Sequence, residues 1–271
     1  MADCQQHWGI FSMNGNMIRR KWSIVLPVRC TGMIDETDMK NLFGYSRVLA
    51  VGDVHGMYEK LITLMEKVRF DPEEDLLVFL GDYIDRGPDS VPCLQYVYDF
   101  QHAYPDSVIC LLGNHEVMMS SYLMQKRVNY NTVIADYADS WLKNGGFETL
   151  RQLDELEKGK REALLQWVEN LPVKYQYQEF FFCHAGVDPD VPLAVQNEFD
   201  MLWRRQQWWE QYKDVETIVV GHTPVQKVKK RARFAKPLFL PNNIIMCDTG
   251  AYMTGGKLTC VDVLSKKVWQ A

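Results

Sequence analysis

The chain has no hydrophobic run long enough to cross a bilayer, which takes about 20 consecutive apolar residues. An early apolar stretch, Ser23-Ile24-Val25-Leu26-Pro27-Val28, is too short and reads as a strand. The N-terminus lacks the apolar region of a secretory signal, because polar residues interrupt it throughout. No cysteine pair has the CxxC spacing of a zinc knuckle or redox site. The seven cysteines, Cys4, Cys30, Cys93, Cys110, Cys183, Cys247 and Cys260, are scattered and odd in number. They read as reduced, partly buried thiols in a cytoplasm. Positive charge is not in excess either. A net charge of -5 gives no general reason to expect nucleic acid or an anionic membrane as partner. Internal repeats and low-complexity tracts are also missing. The expectation is a cytoplasmic protein, monomeric or weakly oligomeric.

At 271 residues, with 47% hydrophobic and 24% charged, the chain can bury a substantial core. One large α/β domain or two smaller ones would fit. Residues 1–45 show no clear periodicity and read as an N-terminal extension without an assigned role.

Three buried-type strands end on glycine and a polar residue. Val48-Leu49-Ala50-Val51 runs into Gly52-Asp53, Leu76 to Leu80 into Gly81-Asp82, and Val108 to Leu112 into Gly113-Asn114. Between them, Met57, Leu61, Leu64, Met65 and Val68 mark one helical face. A second helix can be capped by Asp89 or Ser90, with Pro92 in its first turn and a face including Val91, Leu94, Val97 and Tyr98. This β-α-β-α-β order predicts parallel strands whose carboxyl ends share one edge of a sheet, where α/β proteins place ligands. Residues 116–170 read as mainly helical, with a break at Gly145-Gly146. Strands return over Val173 to Cys183, Thr217 to Val220 and Ile244 to Cys247, and a hairpin closes around Leu264-Ser265-Lys266. His184 and His222 thus also follow strand ends.

The polar residues at these ends suit one chemistry. Asp53, His55, Asp82, Asn114, His184 and His222 offer oxygen and imidazole ligands for two divalent cations. Mixed nitrogen and oxygen ligation favours Mn, Fe, Zn, Co or Ni over Ca or Mg. Asp82 is the natural bridging carboxylate. A water between two such metals, about 4 Å apart, would be activated for single-step in-line attack on phosphorus, without a serine or cysteine nucleophile. His115 directly follows a ligand and can protonate the leaving oxygen. Asp85 can fix its tautomer, and Arg86 offers a fork for phosphate oxygens.

Together, Gly52-Asp53-Val54-His55-Gly56, Gly81-Asp82-Tyr83-Ile84-Asp85-Arg86-Gly87, Gly113-Asn114-His115-Glu116, His184-Ala185-Gly186 and Gly221-His222-Thr223 resemble the signature of the PPP-type metallophosphatases of the calcineurin-like phosphoesterase superfamily. The resemblance spans roughly residues 47–263. It is nearest to bacterial and bacteriophage serine/threonine protein phosphatases and to symmetrical diadenosine tetraphosphate hydrolases. It implies a metallophosphatase catalytic domain over 46–271, a β-sandwich of two mixed sheets flanked by helices, with 116–170 as a helical insert. It further implies that Asp53, His55 and Asp82 hold one metal, and Asp82, Asn114, His184 and His222 the other, with manganese the foremost candidate. His115 would be the acid with Asp85 behind it, and Asn114 and Arg86 would also meet the substrate phosphate. A second phosphate-binding arginine would follow Leu202-Trp203. Arg205 is favoured over Arg204.

Hydrolysis of phosphoserine and phosphothreonine in a phosphoprotein or phosphopeptide is the first functional reading. Symmetrical cleavage of a dinucleoside polyphosphate is the second, and an inactive phosphate-binding module the third. The basic run Lys227-Val228-Lys229-Lys230-Arg231-Ala232-Arg233 and the patch Arg19-Arg20-Lys21 read as solvated surface. Trp203, Trp208 and Trp209 read as packing rather than a nucleobase grip.

Overall fold

The computed structural model describes residues 44–124, 141–228 and 235–271. Most of the expected N-terminal extension, with Cys4, Cys30, Arg19-Arg20-Lys21 and the Ser23–Val28 strand, lies outside the described residues. So do positions 125–140 of the helical insert and most of the basic run after Val228.

The first half alternates as its sequence spacing predicts: β1 (Arg47–Val51), α1 (Tyr58–Val68), β2 (Asp75–Phe79), α2 (Ser90–Ala103) and β3 (Val108–Cys110). β1, β2 and β3 are parallel neighbours. Helices α3 (Asn114–Met124), α4 (Gly146–Asp154) and α5 (Lys158–Glu169) follow. The second half contains β4 (Lys174–Tyr177), β5 (Phe180–Cys183), α6 (Glu198–Trp203), β6 (Thr217–Val220), α7 (Val225–Val228), β7 (Leu238–Leu240), β8 (Ile244–Met246), β9 (Thr259–Asp262) and β10 (Val268–Gln270).

Two five-stranded sheets result, ordered β10-β9-β1-β2-β3 and β4-β5-β6-β8-β7. The C-terminal hairpin joins the first sheet antiparallel to β1, so the last strands of the chain extend the sheet begun by the first. In the second sheet β5, β6 and β8 are parallel, and β4 and β7 close the edges antiparallel.

Period-two alternation explains why the sheets stack. Val48, Ala50, Leu76 and Val78 point from the first sheet into a shared core with Phe180, Phe182, Val219 and Ile245 from the second. The intervening residues Leu49, Val51, Leu77 and Phe79 face a helical layer and meet Leu61, Leu64 and Val68 of α1 and Leu94 and Val97 of α2. On the outer face of the second sheet, Phe181, Cys183, Ile218 and Val220 pack against Met201, Trp208, Trp209 and Tyr212. Burial removes about 1.5–3 kcal/mol of exposure cost per large apolar side chain. A strand with both faces covered therefore reads as the continuous apolar run seen in the sequence.

Two local expectations are corrected. Val173 to Cys183 is a tight hairpin rather than one strand, because the chain reverses at Gln178, whose φ is 51°. Asp89 holds the cap position of α2 but makes no side-chain cap bond. The Ser90 hydroxyl, which was the other capping candidate, instead accepts the Asp85 N–H at 2.8 Å.

Candidate active site

The loops after the parallel strands adopt unusual backbone. His55, Asp82, Asp85, Arg86 and His222 all have positive φ, between 48° and 71°. Left-handed conformation costs a non-glycine residue about 1–3 kcal/mol and persists only where surrounding structure enforces it. Glu116 supplies much of that enforcement. Its buried carboxylate accepts the main-chain N–H groups of Asp82 (2.9 Å), Tyr83 (2.8 Å), Ile84 (3.3 Å) and Gly113 (3.1 Å). One side chain therefore ties the loop after β2 to the loop after β3. Glycine permits the close approaches: a Cβ on Gly221 would lie 2.1 Å from Asp53 Oδ1, and one on Gly113 would lie 2.3 Å from Asp82 Oδ1.

Ligand-type atoms converge in two adjoining groups. In one, Asn114 Oδ1, His184 Nε2 and His222 Nδ1 form a triangle with sides of 2.9, 2.8 and 3.0 Å. Asp82 Oδ1 lies 3.4 Å from His184 Nε2. His184 Nδ1 donates to the Leu80 carbonyl at 2.8 Å, which leaves the Nε2 lone pair facing the triangle. In the other group, His55 Nδ1 donates to the Ile84 carbonyl at 2.9 Å, so Nε2 faces inward. That nitrogen is 3.5 Å from Asp82 Oδ2 and 3.8 Å from Asp53 Oδ2. Asp82 joins both groups. His115 stands as near the second group as Asp53 does, with Nε2 4.0 Å from Asp82 Oδ2.

Proton-handling and anion-binding groups border these atoms. His115 Nδ1 donates to Asp85 Oδ2 at 2.6 Å. Asp85 also accepts from Trp141 Nε1 at 2.9 Å and from the Thr149 hydroxyl at 2.6 Å. The carboxylate is thus held by three side chains, and His115 Nε2 is left without a hydrogen bond among the described residues. Arg86 Nη1 donates to His55 Nε2 at 2.7 Å, and its guanidinium lies 4.8 Å from the Tyr252 ring centre. Of the two adjacent arginines, Arg204 is engaged by Asp200 at 2.7 Å and Asp188 at 3.3 Å. Arg205 is exposed and donates to the His222 carbonyl at 3.1 Å.

The electrostatics favour cations here. Asp53, Asp82 and Asp248 are all buried and interact with one another. Burial, reinforced by Asp248 and Asp82, pushes the Asp53 carboxyl well above its usual range. Burial likewise pushes Asp248 up to about 6, and its Oδ2 has no hydrogen-bond partner among the described residues. Burial also opposes ionisation of Asp82, but neighbouring His184 and His115 outweigh it and hold the carboxyl low. Burial keeps His55 and His222 neutral, their pKa values well below the ordinary one. Neutral imidazoles, crowded carboxylates and converging lone pairs are a donor set that divalent cations would satisfy. The residues therefore fit a dinuclear metal centre.

All six expected ligand residues meet at this edge, as do His115, Asp85 and Arg86, while Arg205 borders it through His222. The sequence motifs include Glu116 and the strand end at Asp248 without giving either a role, and Trp141, Thr149 and Tyr252 were missed. The strand preceding Asp248-Thr249-Gly250 carried the same strand-then-polar signal as the others. Trp141 and Thr149 lie 56 and 64 residues from Asp85 and gave no local signal.

Comparison with known proteins agrees with this geometry. The family description "Calcineurin-like phosphoesterase" matches residues 46–253. The chain is 30% identical over 224 residues to serine/threonine-protein phosphatase 1 of Salmonella typhimurium, covering 79% of this chain and 91% of that protein. It is 35% identical over 144 residues to the symmetrical bis(5'-nucleosyl)-tetraphosphatase of Pseudomonas syringae pv. tomato, covering 52% of this chain but only 41% of that protein. The solved structure of a protein serine/threonine phosphatase from Saccharomyces cerevisiae superposes with a TM-score of 0.57 at 17% identity, over 83% of this chain and 75% of the other, which speaks for the fold alone. On its sequence match and its fold, the chain belongs to the calcineurin-like phosphoesterase family.

Proposed function

We propose that the protein is a metal-dependent phosphomonoesterase acting on phosphoserine and phosphothreonine in proteins or peptides. The observation that carries this reading is the extent of the match to the Salmonella serine/threonine phosphatase, which runs through 91% of that protein. The tetraphosphatase match stops at 41% of its counterpart, and symmetrical dinucleoside polyphosphate cleavage is the second reading because its identity is slightly higher.

In the proposed assignment Asp53, His55 and Asp82 hold one divalent cation, and Asp82, Asn114, His184 and His222 hold a second, with manganese the favoured metal. Such cations supply positive charge to phosphoryl oxygens and ease deprotonation of water. The chain's own groups do the rest. Arg86 and Arg205 flank the centre and bind the phosphate oxygens, which places phosphorus over the ligand atoms. Asn114 contributes its amide to the same oxygens. His115 Nε2, without a hydrogen-bond partner among the described residues, carries the proton for the departing serine or threonine oxygen. Asp85 fixes the Nδ1–H tautomer at 2.6 Å and so aims Nε2 at the centre.

Metal analysis of Mn²⁺-reconstituted protein, with hydrolysis of p-nitrophenyl phosphate followed alongside, tests the assignment. Two ions per chain and activity lost on chelation are expected. Full activity in metal-stripped protein, or in an Asp82→Asn variant, would defeat it.

A further inference from the structure

The loop after β8 brings the centre a carboxylate that the six expected ligands do not include. Gly52 shows how closely that loop approaches. A Cβ there would lie 2.4 Å from the Cys247 carbonyl oxygen and 3.2 Å from the Asp248 nitrogen. The chain after β1 and the chain after β8 therefore touch main chain to main chain, and Asp53 follows on one as Asp248 does on the other. The same loop is tied to the segment of His222. The Cys247 N–H donates to the Val220 carbonyl at 2.7 Å, and the Asp248 carbonyl accepts from the Val225 N–H at 2.9 Å.

The Asp248 side chain is only 1% exposed. Its Oδ1 accepts the Gly250 N–H at 2.8 Å, which fixes the carboxylate. Its Oδ2 has no hydrogen-bond partner among the described residues. A buried carboxylate oxygen left alone is costly and is kept where an opposite charge offsets it. Asp53 is affected by Asp248 more strongly than by Asp82, so the carboxylate acts on that side of the centre. Arg86 is the guanidinium that acts on both Asp53 and Asp248, and it already donates to His55 Nε2 at 2.7 Å. Three buried carboxylates thus share one guanidinium.

The two groups of ligand residues are unequal. Asp82, Asn114, His184 and His222 make four, whereas Asp53, His55 and Asp82 make three. His115 stands near the smaller group, but its Nδ1 is held by Asp85 and its Nε2 serves the proton. We propose that Asp248 Oδ2 is a fourth protein donor for the cation held by Asp53, His55 and Asp82. This inference rests on the dinuclear assignment above. An aspartate that only shaped its loop would need Oδ1 on the Gly250 N–H and nothing more. A cation accounts for the second, buried oxygen as well.

Mn²⁺ titration of the full-length, metal-stripped protein tests the role without turnover, by calorimetry and electron paramagnetic resonance. Asp248→Asn keeps an oxygen for the Gly250 N–H and removes the charge. The parent should take up two ions and show the spin-coupled signal of a manganese pair. In Asp248→Asn one binding step should weaken by about 10–100-fold while the other stays, so that a single-ion signal replaces the coupled one at stoichiometric Mn²⁺. Asn114→Ala, from the larger group, should weaken the other step. Urea unfolding should find the metal-free Asp248→Asn protein no less stable than the parent. Two unchanged steps in Asp248→Asn would overturn the proposal. Equal weakening of both, with lower metal-free stability, would overturn it in favour of an aspartate that only holds its loop. A parent that binds fewer than two ions would instead defeat the dinuclear assignment, and this donor role with it.

Discussion

Asp248→Asn offers a quantitative test of the buried charge that the centre holds. Asp248 is buried, one carboxylate oxygen lacks a partner among the described residues, and its pKa is lifted from the ordinary 3.8 to about 6. A carboxyl whose folded pKa lies above its unfolded one contributes stability that is fully present below the unfolded value. That contribution is lost as pH rises to the folded value, so the window runs from about pH 4 to pH 6. A shift of about two units corresponds to about 3 kcal/mol at 1.36 kcal/mol per unit. Asparagine cannot ionise and removes this loss. In metal-stripped protein, urea unfolding should therefore show Asp248→Asn gaining on the parent as pH rises from 4.5 to 7.5, by about 2 kcal/mol, the first part of the loss being complete by pH 4.5. Restoring Mn²⁺ should cancel the gain, because cation charge offsets the carboxylate. A variant destabilised equally at both pH values, or a gain that persists with metal bound, would refute the reasoning.

Four further outcomes are expected. His115→Asn should keep its metal content by elemental analysis but lose about 10²–10⁴-fold in kcat on alkyl phosphates, with a smaller loss on p-nitrophenyl phosphate, whose leaving group needs no proton. Trp141→Phe should lower kcat on alkyl phosphates less than His115→Asn does, because it removes one of three side-chain donors to Asp85; no change would remove Trp141 from the network. Burial and nearby Asp82 push Glu116 up to about 8, so above that pH Glu116→Gln should lose about 2–5 kcal/mol in urea unfolding, since an amide cannot accept from all four N–H groups held by the carboxylate. Cys93, Cys110, Cys183, Cys247 and Cys260 are buried with thiols pushed up by burial, so none of the five should be alkylated at pH 8 before denaturation, as peptide mapping will read.

Much of the first sheet was legible because a parallel strand covered on both faces leaves a continuous apolar run. Leu49 and Val51 face helices while Val48 and Ala50 face the second sheet, and all four are apolar. The ends of those runs located Asp53, Asp82 and Asn114 directly. The second sheet came from family resemblance alone. Its edge strands β4 and β7 are short and only partly covered, and their residues carry no clean alternation. The Gln178 reversal was hidden for a related reason, since a left-handed glutamine leaves no glycine or proline to mark the turn. The groups around Asp85 were illegible for a different cause. Trp141 and Thr149 reach it only through tertiary packing, and a lone tryptophan or threonine is most often core. Trp208 and Trp209 are such a case and are indeed buried. Asp248 and Glu116 did carry a usable signal, because Asp248 follows β8 as Asp53 follows β1 and Glu116 closes the Gly113-Asn114-His115-Glu116 motif.

The most direct measurement is hydrolysis by metal-stripped protein, with Mn²⁺ restored, of a phosphothreonine peptide and diadenosine tetraphosphate in parallel. The proposed function requires a higher kcat/KM on the peptide and no turnover of either before Mn²⁺ is added. Preferential conversion of diadenosine tetraphosphate to ADP alone would contradict it and make the protein a dinucleoside polyphosphate hydrolase.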